Sequence, residues 1–141
     1  MKQKSKEDYL RTIYYFYEKE KDKTKGVRSI NIAKALSITK PSVSGMLKKL
    51  AKEGFIKFKP YSNILLTNQG LKEAKRVMHN HRVIEVFLRD VLKYDLLKVH
   101  DEAHRLEHAF SEESIRRLDK FLNNPKISPL GKPIPHDKKL K

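Results

Sequence analysis

Five of the six histidines, His79, His81, His100, His104 and His108, fall within thirty residues of one another. His100, His104 and His108 stand at i, i+4 and i+8. Each step of four drifts only about 40° around a helix, so on one helix the three form a ladder along a single face. Glu107, three residues after His104, joins that ladder, and on the preceding segment His81 and Glu85 are four apart and co-facial. Imidazoles and carboxylates on two facing helices make a nitrogen/oxygen donor set suited to Mn²⁺, Fe²⁺, Co²⁺, Ni²⁺ or Zn²⁺. There is no cysteine, so a disulfide framework and a thiolate metal site are both excluded. His79 points away from His81, and His136 lies in the tail; both are expected to be solvated. One competing pattern sits in the same residues. His100-Asp101-Glu102-Ala103-His104 approximates the H-E-x-x-H of zinc hydrolases, but Asp101 is one methylene short where the general base belongs.

A second chemistry resides in the front half. Residues 1–70 carry sixteen Lys/Arg against six Asp/Glu, and residues 71–141 carry sixteen against eleven. The net charge of +15 and a pI near 9.9 favour a polyanionic partner, and the excess is concentrated at the front. A helix beginning after Thr39 presents Thr39, Lys40, Pro41, Ser42, Ser44, Gly45, Lys48 and Lys49 on its outer face. Its first turn is small and hydroxylated, which lets backbone and side chains approach phosphates and base edges. Lys57 and Lys59, on a predicted hairpin, reach flanking phosphates. A lysine-bearing helix face is more often merely solvated; the order of elements around this one points to DNA.

Those elements follow from periodicity. Leu10, Ile13, Tyr14 and Tyr17 predict a helix over about 7–20. Ser29 is expected to cap a short helix to Leu36, and after the Ser37-Ile38-Thr39 turn a third helix runs to about Glu53, with Val43, Met46, Leu47 and Leu50 inward. Pro41 is tolerated in its first turn, and Gly54 ends it. Ile56 and Phe58 alternate with Lys57 and Lys59, and Ile64 to Thr67 is β-prone, so the two read as a hairpin turning at Pro60–Asn63. One long helix is expected from Thr67 to about Leu92, another after Asp95 and a last one after Ser111. The tail from Asn123, with Pro125, Pro129, Pro133 and Pro135, is expected to be extended. The expected fold is therefore mostly α with a small β-hairpin wing: a winged helix-turn-helix over 1–70, a helical metal-binding and dimerisation domain over 71–123, and a Pro-rich basic tail over 124–141. At 141 residues the chain is too short for a large multi-domain enzyme. No apolar run suits a membrane span and no hydrophobic signal follows the basic start, so a cytoplasmic protein without a membrane partner is expected.

Several stretches together resemble the diphtheria-toxin-repressor/manganese-transport-regulator family of metal-dependent transcriptional repressors. They are Glu7-Asp8-Tyr9-Leu10, Ile32-Ala33 through Pro41-Ser42-Val43-Ser44, Leu66-Thr67-Asn68-Gln69-Gly70, His81-Arg82 with Glu85, His100 through His108, and Pro129 through Pro135. The resemblance implies a homodimer, a corepressor metal (Mn²⁺ or Fe²⁺), a double-stranded DNA operator and no small-molecule substrate. By resemblance, Asp8 matches a first-helix ligand of the manganese-responsive members. His81, Glu85 and His100 match the ancillary-site ligands of the iron-responsive ones, and Glu107 and His108 match ligands of both. Three positions depart from the pattern. His104 replaces Cys or Glu, Arg11 replaces a second first-helix Glu, and the tail resembles a linker to a third, SH3-like domain that is not expected in these 141 residues.

These readings combine into one expectation. Asp8, His81, His104, Glu107 and His108 hold one divalent ion, with His100 and Glu85 at a neighbouring site, and the ion sets the separation of two recognition helices. The alternatives are a metal-independent basic DNA-binding protein and a small zinc-type metallohydrolase.

Overall fold

The computed structural model describes residues 5–58 and 62–136. The chain divides into two compact units, Met1–Lys75 and Arg76–Lys141.

In the first unit, α1 (Lys6–Lys19) opens with a reciprocal cap. Ser5 accepts from the Asp8 amide at 3.1 Å, and the Asp8 carboxylate accepts from the Ser5 amide at 2.8 Å. Next come α2 (Ser29–Leu36) and α3 (Lys40–Lys52). Arg28, not Ser29, is the N-cap of α2, and no side chain caps it; Ser29 is the first helical residue. Between α2 and α3, Ser37 adopts a left-handed conformation (φ 55°), while the Ile38 amide reaches back to Ala33 O at 3.1 Å. A glycine would suit this turn better, and Ser37 meets its geometry at a small backbone cost. Thr39 caps α3, accepting from the Ser42 amide at 3.3 Å.

Strands β1 (Ile56–Lys57) and β2 (Leu65–Leu66) pair antiparallel, Ile56 opposite Leu66 and Lys57 opposite Leu65. The expected turn residues Pro60 and Tyr61 lie outside the described residues. Sequence reading missed one partner: Val27 bridges Ile64, exchanging hydrogen bonds of 2.8 and 2.7 Å. The core of this unit gathers Tyr9, Ile13, Val27, Ile32, Leu36, Val43, Leu47, Leu50, Ile56 and Ile64. These are the inward stripes of all three helices with the hairpin and the bridging Val27–Ile64 pair, so burying them fixes which face of α3 remains outside.

The helix α4 (Asn68–Asp90) begins in the first unit and ends in the second, which also contains α5 (Leu96–Glu107) and α6 (Glu112–Phe121). Asp95 and Ser111 cap the last two as their positions predict, accepting from the Leu97 and Ser114 amides. The second core gathers Val83, Ile84, Val86, Leu88, Ala103, Ile115, Leu118 and Ile134.

Ile134 belongs to the tail, which packs down where its prolines alone suggest only an extended segment. Ile127 bridges Pro133, Arg82 Nη1 donates to Pro133 O at 2.6 Å, and Ile134 is buried. His79, expected to be solvated, is the other half of this clasp. Its Nδ1 donates to Pro135 O and its Nε2 to Asp119 Oδ2, each at 2.6 Å. Both partners can only accept, so the ring that satisfies them is the imidazolium. Burial opposes that charge, but the Asp119 carboxylate and the Pro135 carbonyl outweigh it and raise the His79 pKa above 6.5. The exposed His136 ring packs edge-on against His79, with centroids 4.8 Å apart. Because the folded pKa is the higher one, the clasp stabilises fully below pH 6.5 and fades as pH rises through the folded value. Asp119→Asn is therefore expected to flatten the pH dependence of the melting temperature between about pH 6 and 8, lowering stability most at the acid end. Calorimetry across that range checks it, and a variant whose profile overlays the wild type contradicts it.

Candidate metal centre and nucleic-acid interface

Positions 81 and 85 are one turn apart on α4, so both side chains leave the same face, and Val83 and Ile84 anchor the helix in the core between them. His100 joins them from α5. His81 Nε2 lies 3.2 Å from His100 Nδ1, Glu85 Oε2 lies 3.5 Å from His81 Nε2, and His100 Nδ1 lies 3.8 Å from Glu85 Oε2. The point equidistant from such a triangle is about 2.0 Å from each corner, the length of a metal–nitrogen or metal–oxygen bond.

Glu85 Oε2 is buried and accepts no hydrogen bond, an arrangement that costs free energy unless a cation satisfies it. Burial opposes ionisation, yet the His100 and His81 imidazoles hold the Glu85 carboxyl down to about 2, so it is anionic at neutral pH. Glu85 and His81 are almost inaccessible while half of the His100 side chain meets solvent, which leaves an ion an entry path. A buried anion with two imidazole nitrogens at ligand spacing fits a divalent transition metal.

A second group on α5 and at its end collects His104, Glu107 and His108, whose donor atoms lie within 4.8 Å of one another. His108 Nε2 is 3.4 Å from Glu107 Oε1, and the two imidazole rings are 5.7 Å apart. The expected ladder therefore splits, because a drift of about 40° per four residues doubles over eight and His100 and His108 part company. His81 sides with Glu85 and His100, not with His104 and His108 as one expectation had it. It meets the second group through a 2.7 Å bond from its Nδ1 to Glu107 Oε2. The split also separates His100 from His104, so the pair that an H-E-x-x-H zinc site needs on one ion stands in two groups.

In the first unit, Asp8 is buried. One of its oxygens serves the cap of α1 and the other lies 3.9 Å from Arg11 Nη2. On α3, Val43, Leu47 and Leu50 are buried, while Thr39, Lys40, Pro41, Ser42, Gly45, Lys48 and Lys49 are exposed and Ser44 is half-buried. Gly45 has open space around it: a side chain there would meet nothing within 4 Å. Lys57 on β1 is exposed, and Lys59 lies outside the described residues. Two residues that shape the second unit were not found by sequence reasoning, Arg82 as a clasp and Asp119 as a partner of His79. Asp119 carries no local signal, since its partner is forty positions away.

A three-helix unit with a hairpin and a basic, exposed third helix is a winged helix-turn-helix. The second unit, with two imidazole–carboxylate groups on α4 and α5, makes the class that of metal-responsive DNA-binding proteins. Residues 1–64 match the iron dependent repressor N-terminal DNA binding domain, and residues 67–136 match the iron dependent repressor metal binding and dimerisation domain. The chain belongs to the iron-dependent repressor family. It is 38% identical over 116 residues to an HTH-type transcriptional regulator of Methanocaldococcus jannaschii, covering 82% of this chain and 90% of that one. It is 39% identical over 129 residues to the diphtheria toxin repressor of Corynebacterium glutamicum, covering 92% of this chain and 55% of that one. The solved structure of the manganese regulator SloR superposes with a TM-score of 0.81 at 40% identity, over 96% of this chain and 61% of that one. The chain thus spans just over half of the diphtheria toxin repressor and most of the archaeal regulator.

Proposed function

We propose that this protein is a divalent-metal-activated transcriptional repressor, not an enzyme, that binds palindromic operator DNA as a homodimer when metal-loaded. The observation that carries the reading is Glu85 Oε2, a buried carboxylate oxygen without a hydrogen bond, facing two imidazole nitrogens at ligand spacing. His81, Glu85 and His100 would hold one ion; His104, Glu107 and His108 would contribute to a second. Asp8 enters by resemblance alone, as a ligand supplied by α1. Manganese and iron both stand in the names of relatives, and either accepts this mixed donor set. The bound ion supplies fixed positive charge and ligand geometry.

The α3 face from Thr39 to Lys49 reads the operator. Its hydroxyls and the open backbone at Gly45 reach bases or phosphates closely, and Lys40, Lys48, Lys49, Lys57 and Lys59 neutralise phosphate. Dimerisation is assigned to the α4–α5 turn, where Val91, Leu92, Leu96 and Leu97 are exposed within seven positions, Leu97 at 89%. These apolar side chains fall within the stretch matching the dimerisation model, and a second copy would cover them. Among the described residues no helix is long and apolar enough to cross a membrane, and a DNA partner places the protein in the cytoplasm.

An operator selected from random sequences and titrated at fixed salt tests this. Replacing chelator with Mn²⁺ or Fe²⁺ should tighten binding by about 5–150-fold, the range of coupling free energies in linked systems. A half-site should bind far more weakly than the full palindrome. Equal affinity with chelator and with every metal leaves only a basic DNA-binding protein and overturns the proposal.

A further inference from the structure

Glu107 faces two ways. Its side chain is 1% exposed; Oε2 accepts from His81 Nδ1 at 2.7 Å, while Oε1 lies 3.4 Å from His108 Nε2. A carboxylate can only accept here, so the proton of the shorter bond sits on Nδ1, and in the neutral form that ligates a metal the His81 ring would turn Nε2 toward Glu85 and His100. Turning or flipping that ring would break the bond to a buried anion. Without the bond, nothing in the Nε2 triangle dictates which ring nitrogen faces it.

Resting on the metal-binding reading above, we propose that Glu107 is the positioning residue for the His81–Glu85–His100 group, as well as a member of the His104–His108 group. One hydrogen bond then couples the two. With a metal held at Nε2, the His81 Nδ1–H would become a stronger donor to Glu107 Oε2. That holds the carboxylate in the orientation from which Oε1 addresses His108, so filling the first group favours filling the second. By linkage the reverse holds with the same factor.

The test compares the wild-type chain with Glu107→Gln, Glu107→Ala and His108→Ala by Co²⁺ titration, following the visible absorption of bound cobalt. It is paired with ¹H–¹⁵N spectra of the histidine rings in metal-free protein. Glutamine keeps an oxygen that accepts from His81 but loses the charge, whereas alanine loses both. The expected result is that Glu107→Gln and His108→Ala each retain one cobalt site close to wild-type affinity. Glu107→Ala should weaken that remaining site by about 10–100-fold, the usual effect of removing a partner that orients a metal-binding histidine. In the metal-free spectra, the His81 Nδ1–H signal should be protected from solvent exchange in the wild type and in Glu107→Gln. Equal cobalt affinity in Glu107→Ala and Glu107→Gln, or an unprotected Nδ1–H in the wild type, overturns the proposal while leaving the metal reading intact. A wild type that binds no cobalt but keeps the protected proton overturns the metal reading, and the coupling with it.

Discussion

Gly70→Ala is expected to destabilise the first unit by about 3 kcal/mol or more, the upper end of what overpacking costs. Gly70 is the third residue of α4, and a Cβ there would sit 1.8 Å from the Phe55 carbonyl oxygen and 2.7 Å from its carbon. These are backbone atoms, so no rotamer change relieves the clash. The Phe55 carbonyl accepts from the Thr67 amide at 3.1 Å, and the Phe55 amide donates to Leu50 O at 3.0 Å. Moving Phe55 away therefore strains the junction of α3 with β1 as well as the start of α4. Set against a typical domain stability of about 5–15 kcal/mol, that loss is large. Urea unfolding followed by circular dichroism should show a midpoint well below the wild type, and operator affinity should fall with it. Gly45→Ala is the matched control. With nothing within 4 Å of its Cβ it should hold or raise stability, by up to about 1 kcal/mol as alanine usually does in a helix, while weakening operator binding from the exposed face. A Gly70→Ala protein that unfolds at the wild-type midpoint contradicts the close approach.

Gly70 also marks where sequence reading stops. The helices were legible because each has a 3.6-residue apolar stripe and most have a capping side chain at the right place, Thr39, Asp95 and Ser111 among them. The candidate ligands were legible because four-residue spacing on a helix is itself geometry. What spacing could not say is which partner each ligand chooses. His100, His104 and His108 look equivalent on a wheel, and only the packing of α4 against α5 assigns His100 to Glu85 and leaves His104 with His108. The resemblance sets His81, Glu85 and His100 together, a grouping that periodicity alone does not make. His79, Asp119, Arg82 and the tail carbonyls were invisible for a related reason: their contacts span forty to fifty-six positions and obey no period.

His108→Ala is expected to remove most of the metal response of operator binding. The substitution takes one donor from the His104–Glu107–His108 group and leaves the His81–Glu85–His100 triangle and the His81–Glu107 bond untouched. At saturating Mn²⁺ its operator affinity should drop toward the value the wild type shows in chelator, about 5–150-fold weaker. Weak binding to unrelated DNA should persist, with the same slope of affinity against salt, because the lysines of α3 and β1 are unchanged. The decisive comparison is reciprocal. In the wild type, adding operator must raise metal affinity by the same factor by which metal raises operator affinity, since both are one coupling free energy read from opposite ends. In His108→Ala both factors should shrink together toward one while a single ion is still bound. Retention of the full metal dependence in that variant would place the activating ion elsewhere and remove the His104 group from the mechanism.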